Sequence, residues 1–299
     1  MPINQAVIDN PKSDRVKRVA GLARPAARER SGRFLIEGPQ SVREAVTWRP
    51  DVVQDLYVAV DDVLGETRYA SDTLAKIVEQ SQDATIYVHK VTRTVMEKMS
   101  KDAQGIVAVG NMRAMHADAG DVRLGATPRV AAFWQVRDPG NAGTVIRAAD
   151  AAGCDAVVFV DECVDPLNPK VIRSTAGSLF HIPVLSMDVD GFLAWAGGHG
   201  VDVIAADVYG TPDRRPESLP DVLAARARSV ATATEDGASD ATAARGDAVL
   251  FGNEARGLPP EILARVDRIV SIPLYGKAES LNLGTSAAVM LMSLAMSAK

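Results

Sequence analysis

Short runs of apolar and β-branched residues recur through the second half of the chain, with helical segments between them. Runs of this kind are typical of buried parallel strands, and parallel neighbours need a crossover connection that is usually a helix. We predict strands at 130–134, 156–160, 182–185, 201–206, 249–251 and 269–272, and helices at 142–152, 170–178 and 281–298. This half is therefore predicted to be an α/β domain with a mostly parallel sheet.

The first half shows a similar alternation. It predicts strands at 33–37, 56–60, 85–88 and 106–109, and helices at 40–48, 71–82 and 92–99. We therefore predict a small α/β domain at 1–111, a polar linker at 112–128 and a second α/β domain at 129–299. Few large apolar residues follow Leu223, and we expect a flexible insertion at about 212–247.

Composition excludes several classes of protein. The 299 residues suffice for roughly two domains. The hydrophobic share of 47% excludes a wholly disordered chain. Cys154 and Cys163 are too few for a disulfide framework or a cysteine-rich zinc site, so we expect no metal and a reduced, cytoplasmic setting. No apolar stretch is long enough to predict a membrane span, and we expect no membrane partner.

The segment from Lys12 to Arg33 is strongly basic, although the whole chain carries a net charge of −5. Only Asp14 and Glu29 oppose its basic residues, which are Lys12, Arg15, Lys17, Arg18, Arg24, Arg28, Arg30 and Arg33. A basic segment on an acidic chain is an electrostatic footprint for nucleic acid. A solvated amphipathic helix accounts for the same charges, and both interpretations stay open at this point.

A first polar loop, RDPGNAGTVIR at 137–147, follows a predicted strand and opens a helix. We expect Asn141 to cap that helix, with Arg147 two turns inside it. Exposed amides at such a helix start suit an anion. A dinucleotide-binding loop is the competing interpretation, but the third glycine of GxGxxG is missing here.

Two further polar loops follow predicted strands. The second, FGNEARGLPP at 251–260, contains Gly252 and Gly257, which permit a close backbone approach. The third, IPLYGKAESLN at 272–282, leads into a helix of small residues and methionines. Open α/β sheets bind ligands beyond the carboxyl ends of their strands, so three such loops in one domain predict a binding site.

Together these loops resemble the signature motifs of the SpoU (TrmH-type) RNA 2'-O-ribose methyltransferases of the SPOUT superfamily. The first matches N-x-G-x-x-x-R, the second G-N-E-x-x-G and the third I-P…E-S-L-N, in family order. The stretch RSTAGSLFHIP at 173–183 also resembles the family. In the first half, FLIEGPQSVREA at 34–45 and QGIVA at 104–108 resemble the substrate-binding domain that many members carry.

The resemblance implies a fold and a cofactor. The expected fold class is α/β: a C-terminal α/β-knot methyltransferase domain (the SPOUT trefoil knot, with a mostly parallel sheet) preceded by a small α/β substrate-binding domain. The expected cofactor is S-adenosylmethionine, with Gly252, Ile272 and Leu281 lining its pocket and Asn253 and Gly257 shaping it. Family members work as homodimers through the knot domain and the final helix, and we expect the same here.

The resemblance also implies the reaction, a methyl transfer to a ribose 2'-hydroxyl of RNA. Arg147 would hold the central role. We expect it to stabilise the developing alkoxide or to bind a phosphate, because a guanidinium stays protonated and is a poor base. Asn141 would orient this arginine or the substrate. Glu254 and Ser280 would position the ribose, and Asn282 would hold the third loop.

The expected substrate is 23S ribosomal RNA, with transfer RNA as the alternative. Its expected contacts in the basic segment are Lys12, Arg15, Lys17, Arg18, Arg24, Arg28 and Arg33. Two other classes of protein stay open at this point, a non-catalytic RNA-binding homologue and a nucleotide-dependent oxidoreductase. The intact motif residues argue against the first, and the missing GxGxxG glycine argues against the second.

Overall fold

A computed structural model gives the fold and describes residues 3–63, 66–235 and 245–297. Contacts divide the chain into two compact units. The N-terminal unit contains the residues up to His116 together with Asp165–His181, and the C-terminal unit contains Ala117–Val164 and the residues from Ile182 onward. The domain boundaries expected from the sequence stay a prediction. The contacts add that Asp165–His181 groups with the N-terminal unit.

The first half of the chain alternates strands with helices. Its elements are β1 (Ile3–Ile8), α1 (Asp14–Gly21), α2 (Pro25–Ser31), β2 (Arg33–Glu37), α3 (Pro39–Trp48), β3 (Val53–Val63), β4 (Glu66–Tyr69), α4 (Asp72–Asp83), β5 (Tyr87–Val91), α5 (Arg93–Met99), β6 (Ile106–Asn111) and α6 (Met112–Met115). The sheet order is β1-β5-β3-β6-β2, with β4 paired to β3. The parallel pairs are β1 with β5 and β5 with β3, and β6 runs antiparallel to β3 and β2.

The second half carries the larger sheet. Its elements are β7 (Arg129–Trp134), α7 (Pro139–Ala151), β8 (Ala156–Val160), α8 (Pro169–Ser174), β9 (Val184–Met187), α9 (Val189–Gly198), β10 (Val201–Ala206), β11 (Glu217–Ser218), α10 (Leu219–Glu235), β12 (Gly246–Phe251), α11 (Pro260–Leu263), β13 (Arg268–Ser271) and α12 (Leu283–Ser297).

All seven strands of this sheet are parallel, in the order β11-β13-β10-β12-β7-β8-β9. The central strands are buried on both faces, which explains why they read as continuous apolar runs. The parallel α/β pattern expected from the sequence is confirmed. Because parallel strands share one direction, the loops after β7, β10, β12 and β13 leave the sheet at the same edge.

Several boundaries differ from the sequence predictions. The strand expected at 85–88 starts at Tyr87, because Thr85 adopts a positive φ of 62° that belongs to a turn. The helix expected at 170–178 ends at Ser174, and Gly177 follows with φ 105°. The strand expected at 182–185 begins only after Pro183.

The expectation of a flexible insertion at 212–247 is wrong for much of that stretch. Residues Leu219–Glu235 form a helix, which packs against α12. Leu219 and Val222 are buried, and Arg226 forms an ion pair with Asp247 in β12. Among the described side chains of this helix, Leu219, Val222 and Arg226 thus anchor it to the rest of the C-terminal unit. Residues 236–244 lie outside the described part of the chain.

Arg28 is a buried structural residue of the N-terminal unit. It is 1% exposed, and its guanidinium donates to Asp165 and to the carbonyl oxygens of Leu22 (3.0 Å) and Ala23 (3.2 Å). A buried guanidinium with all of these partners cannot reach a phosphate. The expectation that Arg28 contacts RNA is therefore wrong, and its charge instead ties α2 to the segment after β8.

Replacement of Arg28 tests this structural role. We expect Arg28→Ala to lower the free energy of unfolding of the N-terminal unit by about 2–3 kcal/mol, because it leaves the buried carbonyl of Leu22, the partly buried carbonyl of Ala23 and the Asp165 carboxylate without their donor. Asp165 is 37% exposed, which keeps the loss below that of a fully buried pair. Urea denaturation of the full chain measures it. Arg30→Ala, an exposed change on the same helix, should stay within about 0.5 kcal/mol. Equal losses in both variants would contradict the assignment.

Candidate active site

A cavity of about 620 Å³ lies at the carboxyl edge of the C-terminal sheet. The loops after β10, β12 and β13 and the starts of α7 and α12 line it. This is the edge at which open parallel sheets bind ligands. Its volume falls within the range of about 300–1,000 Å³ that is typical of small-molecule sites.

The first loop positions Asn141 at the start of α7. Asp138, not Asn141, caps this helix, because the Asp138 Oδ1 accepts from the Asn141 backbone N–H at 2.8 Å. Pro139 occupies the first helical position, where its missing N–H costs nothing. The expectation that Asn141 is the cap is therefore wrong. Its side chain is left available for the cavity.

The Asn141 carboxamide joins the three polar loops. Its Nδ2 donates to Oε1 of Glu254 at 3.1 Å, and its Oδ1 accepts from Nδ2 of Asn282 at 3.0 Å. A carboxylate can only accept, so Glu254 fixes which end of the Asn141 amide faces it. That choice in turn fixes Asn282, whose Oδ1 accepts from the backbone N–H groups of Gly284 (2.9 Å) and Thr285 (3.3 Å).

The second loop folds back on itself at Gly252. A Cβ at this position would lie 2.6 Å from the backbone nitrogen of Leu258, so only glycine permits the close approach. Gly257 adopts φ 64° and exchanges two backbone hydrogen bonds with Asn253. The buried Asn253 side chain donates to the carbonyl oxygen of Gln135 at 2.7 Å. Asn253 thus fixes the second loop to the end of β7.

The third loop ends where α12 packs on α7. The side chain of Asn282 bonds the first free backbone N–H groups of α12, as an N-cap does. A Cβ at Gly284 would lie 2.6 Å from Cγ2 of Thr144, so a larger residue would push the two helices apart. The small residues at the start of α12 therefore set the distance between the helices that carry Asn141 and Asn282.

The structure brings nine of the ten expected catalytic and cofactor residues to this one cavity. They are Asn141, Gly252, Asn253, Glu254, Gly257, Ile272, Ser280, Leu281 and Asn282. Arg147 is exposed on α7 and is not part of the cavity lining. In the described part of the chain, no ion pair or side-chain hydrogen bond engages its guanidinium. The geometry gathers the loops as expected and leaves the arginine on a separate surface.

The sequence reasoning did not single out the loop after β10 as part of the site. Asp207 and Tyr209 belong to the loop after β10 and line the cavity. The Asp207 Oδ1 accepts from the backbone N–H groups of Tyr209 (2.8 Å) and Gly210 (2.7 Å). This turn directs the other carboxylate oxygen, Oδ2, towards Gly257. A Cβ added at Gly257 would lie 3.6 Å from that oxygen. The sequence signal that could have identified them was their position alone, because both follow a strand that was predicted correctly at 201–206.

Neither cysteine is among the residues that line the cavity. Both cysteines are free, and burial raises the pKa of Cys154 to about 12 and that of Cys163 to about 11, so both stay protonated near neutral pH. Among residues 3–63, 66–235 and 245–297, no group of three or more His, Cys, Asp or Glu side chains could hold a metal ion. None of the described helices is both long and apolar enough to span a membrane.

Solved structures share this fold. An rRNA methyltransferase from Sinorhizobium meliloti with bound AdoMet superposes with a TM-score of 0.74 at 24% identity and covers 98% of this chain and 97% of its own. The SpoU methyltransferase AviRb from Streptomyces viridochromogenes, in complex with AdoMet, gives 0.72 at 23% identity, with 95% and 98% covered. The expected fold class, an α/β-knot methyltransferase domain after a small α/β substrate-binding domain, is confirmed.

Protein relatives match along nearly the whole chain. The 23S rRNA (guanosine(2553)-2'-O)-methyltransferase RlmP of Bacillus subtilis is 33% identical over 96% of this chain and 98% of its own length. The 23S rRNA (uridine(2479)-2'-O)-methyltransferase of Streptomyces viridochromogenes is 27% identical over 88% of this chain and 83% of its own.

Family models assign both halves of the chain. Residues 13–108 match the MRM3-like substrate binding domain. Residues 128–292, which contain all three polar loops, match the SpoU rRNA Methylase family. The resemblance read from the motifs is thereby confirmed, and the chain belongs to the SpoU rRNA Methylase family.

Proposed function

We propose that this protein transfers a methyl group from S-adenosylmethionine to a ribose 2'-hydroxyl of 23S ribosomal RNA. The observation that carries the proposal is the cavity in which Asn141, Glu254 and Asn282 connect three polar loops. The relatives from B. subtilis and S. viridochromogenes support it, since each is named as a 23S rRNA 2'-O-methyltransferase. A cytoplasmic setting with this substrate is part of the proposal.

The cavity fits the cofactor by its size and by the character of its walls. Gly252 and Gly257 of the second loop belong to the lining, and a glycine lets a ligand approach the main chain closely. Gly252, Ile272 and Leu281 would hold S-adenosylmethionine, with Asn253 and Gly257 fixing the loop shape. When bound, the sulfonium supplies a methyl group on a good leaving group, so the chain need not activate the donor.

The chain must supply alignment and help with the hydroxyl proton. Glu254 and Ser280 are exposed at the cavity and can accept or donate hydrogen bonds to a ribose. Asn141 holds the Glu254 carboxylate in one orientation, which preorganises that contact. Arg147 would stabilise the negative charge that develops on the 2'-oxygen, or hold the neighbouring phosphate, because a guanidinium carries its charge throughout the reaction.

We propose a homodimer that forms through the C-terminal helix. Val289, Met292 and Met296 recur at intervals of three and four residues on α12 and are 37%, 37% and 64% exposed. An apolar stripe of this spacing suits a facing helix. The same helix packs against α7, which carries Arg147.

Methyl transfer can be tested directly. We expect the full chain to transfer tritium from methyl-labelled cofactor to ribosomal RNA, and a ribose-methylation map of total RNA from cells with and without the protein to identify the nucleotide. A site in 23S ribosomal RNA supports the proposal, whereas a site only in transfer RNA would overturn the assigned substrate. Absence of transfer to any RNA would leave a non-catalytic homologue.

Replacement of Arg147 separates chemistry from cofactor binding. We expect Arg147→Ala to lower the methyl-transfer rate about 100-fold or more, the usual cost of one lost transition-state donor. S-adenosylmethionine affinity, measured by calorimetry, should stay unchanged because Arg147 lies outside the cavity lining. Arg265→Ala, which removes an exposed arginine paired with Asp190, is the matched control and should keep the full rate. Equal rates in all three proteins would remove Arg147 from the mechanism.

Replacement of Gly252 tests the cofactor pocket. We expect Gly252→Ala to weaken S-adenosylmethionine binding roughly tenfold or more, because the new Cβ must displace the backbone at Leu258. Gly276→Ala in the third loop is the control, since a Cβ there meets no atom within 4 Å. Calorimetry on folded proteins with matching circular dichroism measures both affinities. Unchanged binding by Gly252→Ala would place the cofactor elsewhere.

The salt dependence of RNA binding tests whether the exposed basic residues of the Lys12–Arg33 segment contact phosphates. We expect the logarithm of the binding constant for single-stranded RNA to fall linearly with the logarithm of the salt concentration, because Lys and Arg displace phosphate counterions. The double change Lys17→Ala/Arg18→Ala should reduce that slope by roughly 1.4, the value for two lost phosphate contacts. Fluorescence anisotropy over a salt series provides the slopes, with Lys76→Ala on α4 as control. An unaltered slope would exclude both residues as contacts.

A further inference from the structure

Helices α1 and α5 cover one face of the N-terminal sheet, and the side chain of Tyr87 is exposed at the edge of that face. Along β5, Tyr87, His89 and Val91 alternate onto this face. The buried end, at Val91, packs with residues of α1 and α5. Tyr87, at the start of the strand, is 43% exposed. A large ring held at the edge of a covered face is a surface on which another flat group can stack.

Two further rings fix the position of Tyr87. The centroid of the His89 ring lies 4.8 Å from that of the Tyr87 ring. The His89 ring also stacks against the Tyr57 ring, with a centroid distance of 4.7 Å and an interplanar angle of 18°. Tyr57 and His89 are register partners across β3 and β5, and both are buried. The three rings therefore form a short ladder whose last member, Tyr87, reaches solvent.

Polar contacts at both ring nitrogens hold the His89 ring, the middle ring of this ladder, in one orientation. Nδ1 of His89 faces Nη1 of Arg15 at 3.2 Å, and Nε2 faces Oδ1 of Asp55 at 2.8 Å. A guanidinium only donates, so Nδ1 must accept and the proton lies on Nε2, which donates to Asp55. The hydrogen bond from His89 lowers the pKa of Asp55. An imidazole with a polar partner at each ring nitrogen thus backs the Tyr87 ring.

Three arginines lie near the Tyr57 end of the ladder. Arg15 and Arg18 are exposed on α1, and Arg33 is exposed at the start of β2. All three are close enough to act on the Tyr57 hydroxyl, although burial still raises its pKa to about 12. Within the described residues, no ion pair engages the guanidinium of Arg18 or of Arg33. The N-terminal unit thus presents an exposed ring together with exposed guanidinium groups, which suits a ligand that is flat and anionic.

We propose that Tyr87 is the stacking surface for an unpaired base of the substrate RNA, with Arg15, Arg18 and Arg33 holding the phosphates beside it. This inference rests on the proposed function, since it names how the N-terminal unit holds that substrate. Aromatic side chains stack on any base because each base has a π-face. Arginine binds phosphate through a planar fork of donors. A nucleotide has both a base that can stack on the Tyr87 ring and a phosphate that arginine can bind.

The geometry favours an unpaired nucleotide over a duplex. In an A-form helix the base faces are stacked on one another, and proteins reach only the backbone, the 2'-hydroxyls and the groove edges. A single ring that projects from a strand can stack only on a base that has left the helix, as in a loop or bulge. Tyr87 is already held by the ladder, so little side-chain freedom is lost on binding.

The test compares single-stranded RNA with duplex RNA on the full chain. We use a short fluorescein-labelled oligouridylate and a labelled RNA duplex of equal length, both at constant salt. We expect Tyr87→Ala to weaken single-strand binding about tenfold, the scale of one lost base stack, and to leave duplex binding within about twofold. Tyr87→Phe, which keeps the ring, should bind both as the wild type does. Arg33→Ala should weaken both probes, because each presents phosphates.

Trp48→Ala is the matched control, since Trp48 is an aromatic of the same unit, is 61% exposed and contacts His181 rather than the ladder. Single-strand binding equal to wild type in Tyr87→Ala would overturn the proposal, as would an equal loss in Trp48→Ala or an equal loss on the duplex. If the wild type methylates RNA while Tyr87→Ala binds normally, only the stacking surface is wrong. If the wild type neither binds nor methylates RNA, the proposed function fails with it.

Discussion

The carboxamide of Asn141 is the interaction on which the candidate site depends. It links residues that are 113 and 141 positions away in sequence, Glu254 and Asn282. The order of donors and acceptors runs one way, from the start of α12 through Asn282 and Asn141 to the Glu254 carboxylate. Each amide can therefore adopt only one orientation. An aspartate at position 141 would place two carboxylates together, so the chemistry requires both a donor and an acceptor here.

Much of this site could be predicted because a parallel sheet places the carboxyl ends of its strands at one edge. The strands before Asn141, Glu254 and the third loop were predicted from their apolar runs, and the three loops do converge. Asp207 was missed because a single aspartate after a strand carries no motif. Helix α10 was missed because few large apolar residues follow Leu223, so the sequence shows no clear helical period there.

The basic segment shows what charge counting cannot resolve. Arg28 and Arg30 are two residues apart on α2, yet one is buried with several acceptors and the other is exposed. A helix turns by about 100° per residue, so neighbouring charges face different surroundings. Counting charges identifies the basic residues, but only packing separates the buried structural arginine from the exposed ones.

The same helical geometry explains why Arg147 lies apart from the cavity. Arg147 lies six positions after Asn141, and at about 100° per residue the two side chains point about 120° apart around α7. Two side chains so oriented cannot both face one cavity in one chain. If Arg147 acts on the ribose, the substrate must therefore reach the exposed side of α7, or a second copy must present its own arginine. The apolar stripe on α12, which packs against α7, makes the second arrangement physically accessible and joins the proposed homodimer to the proposed chemistry.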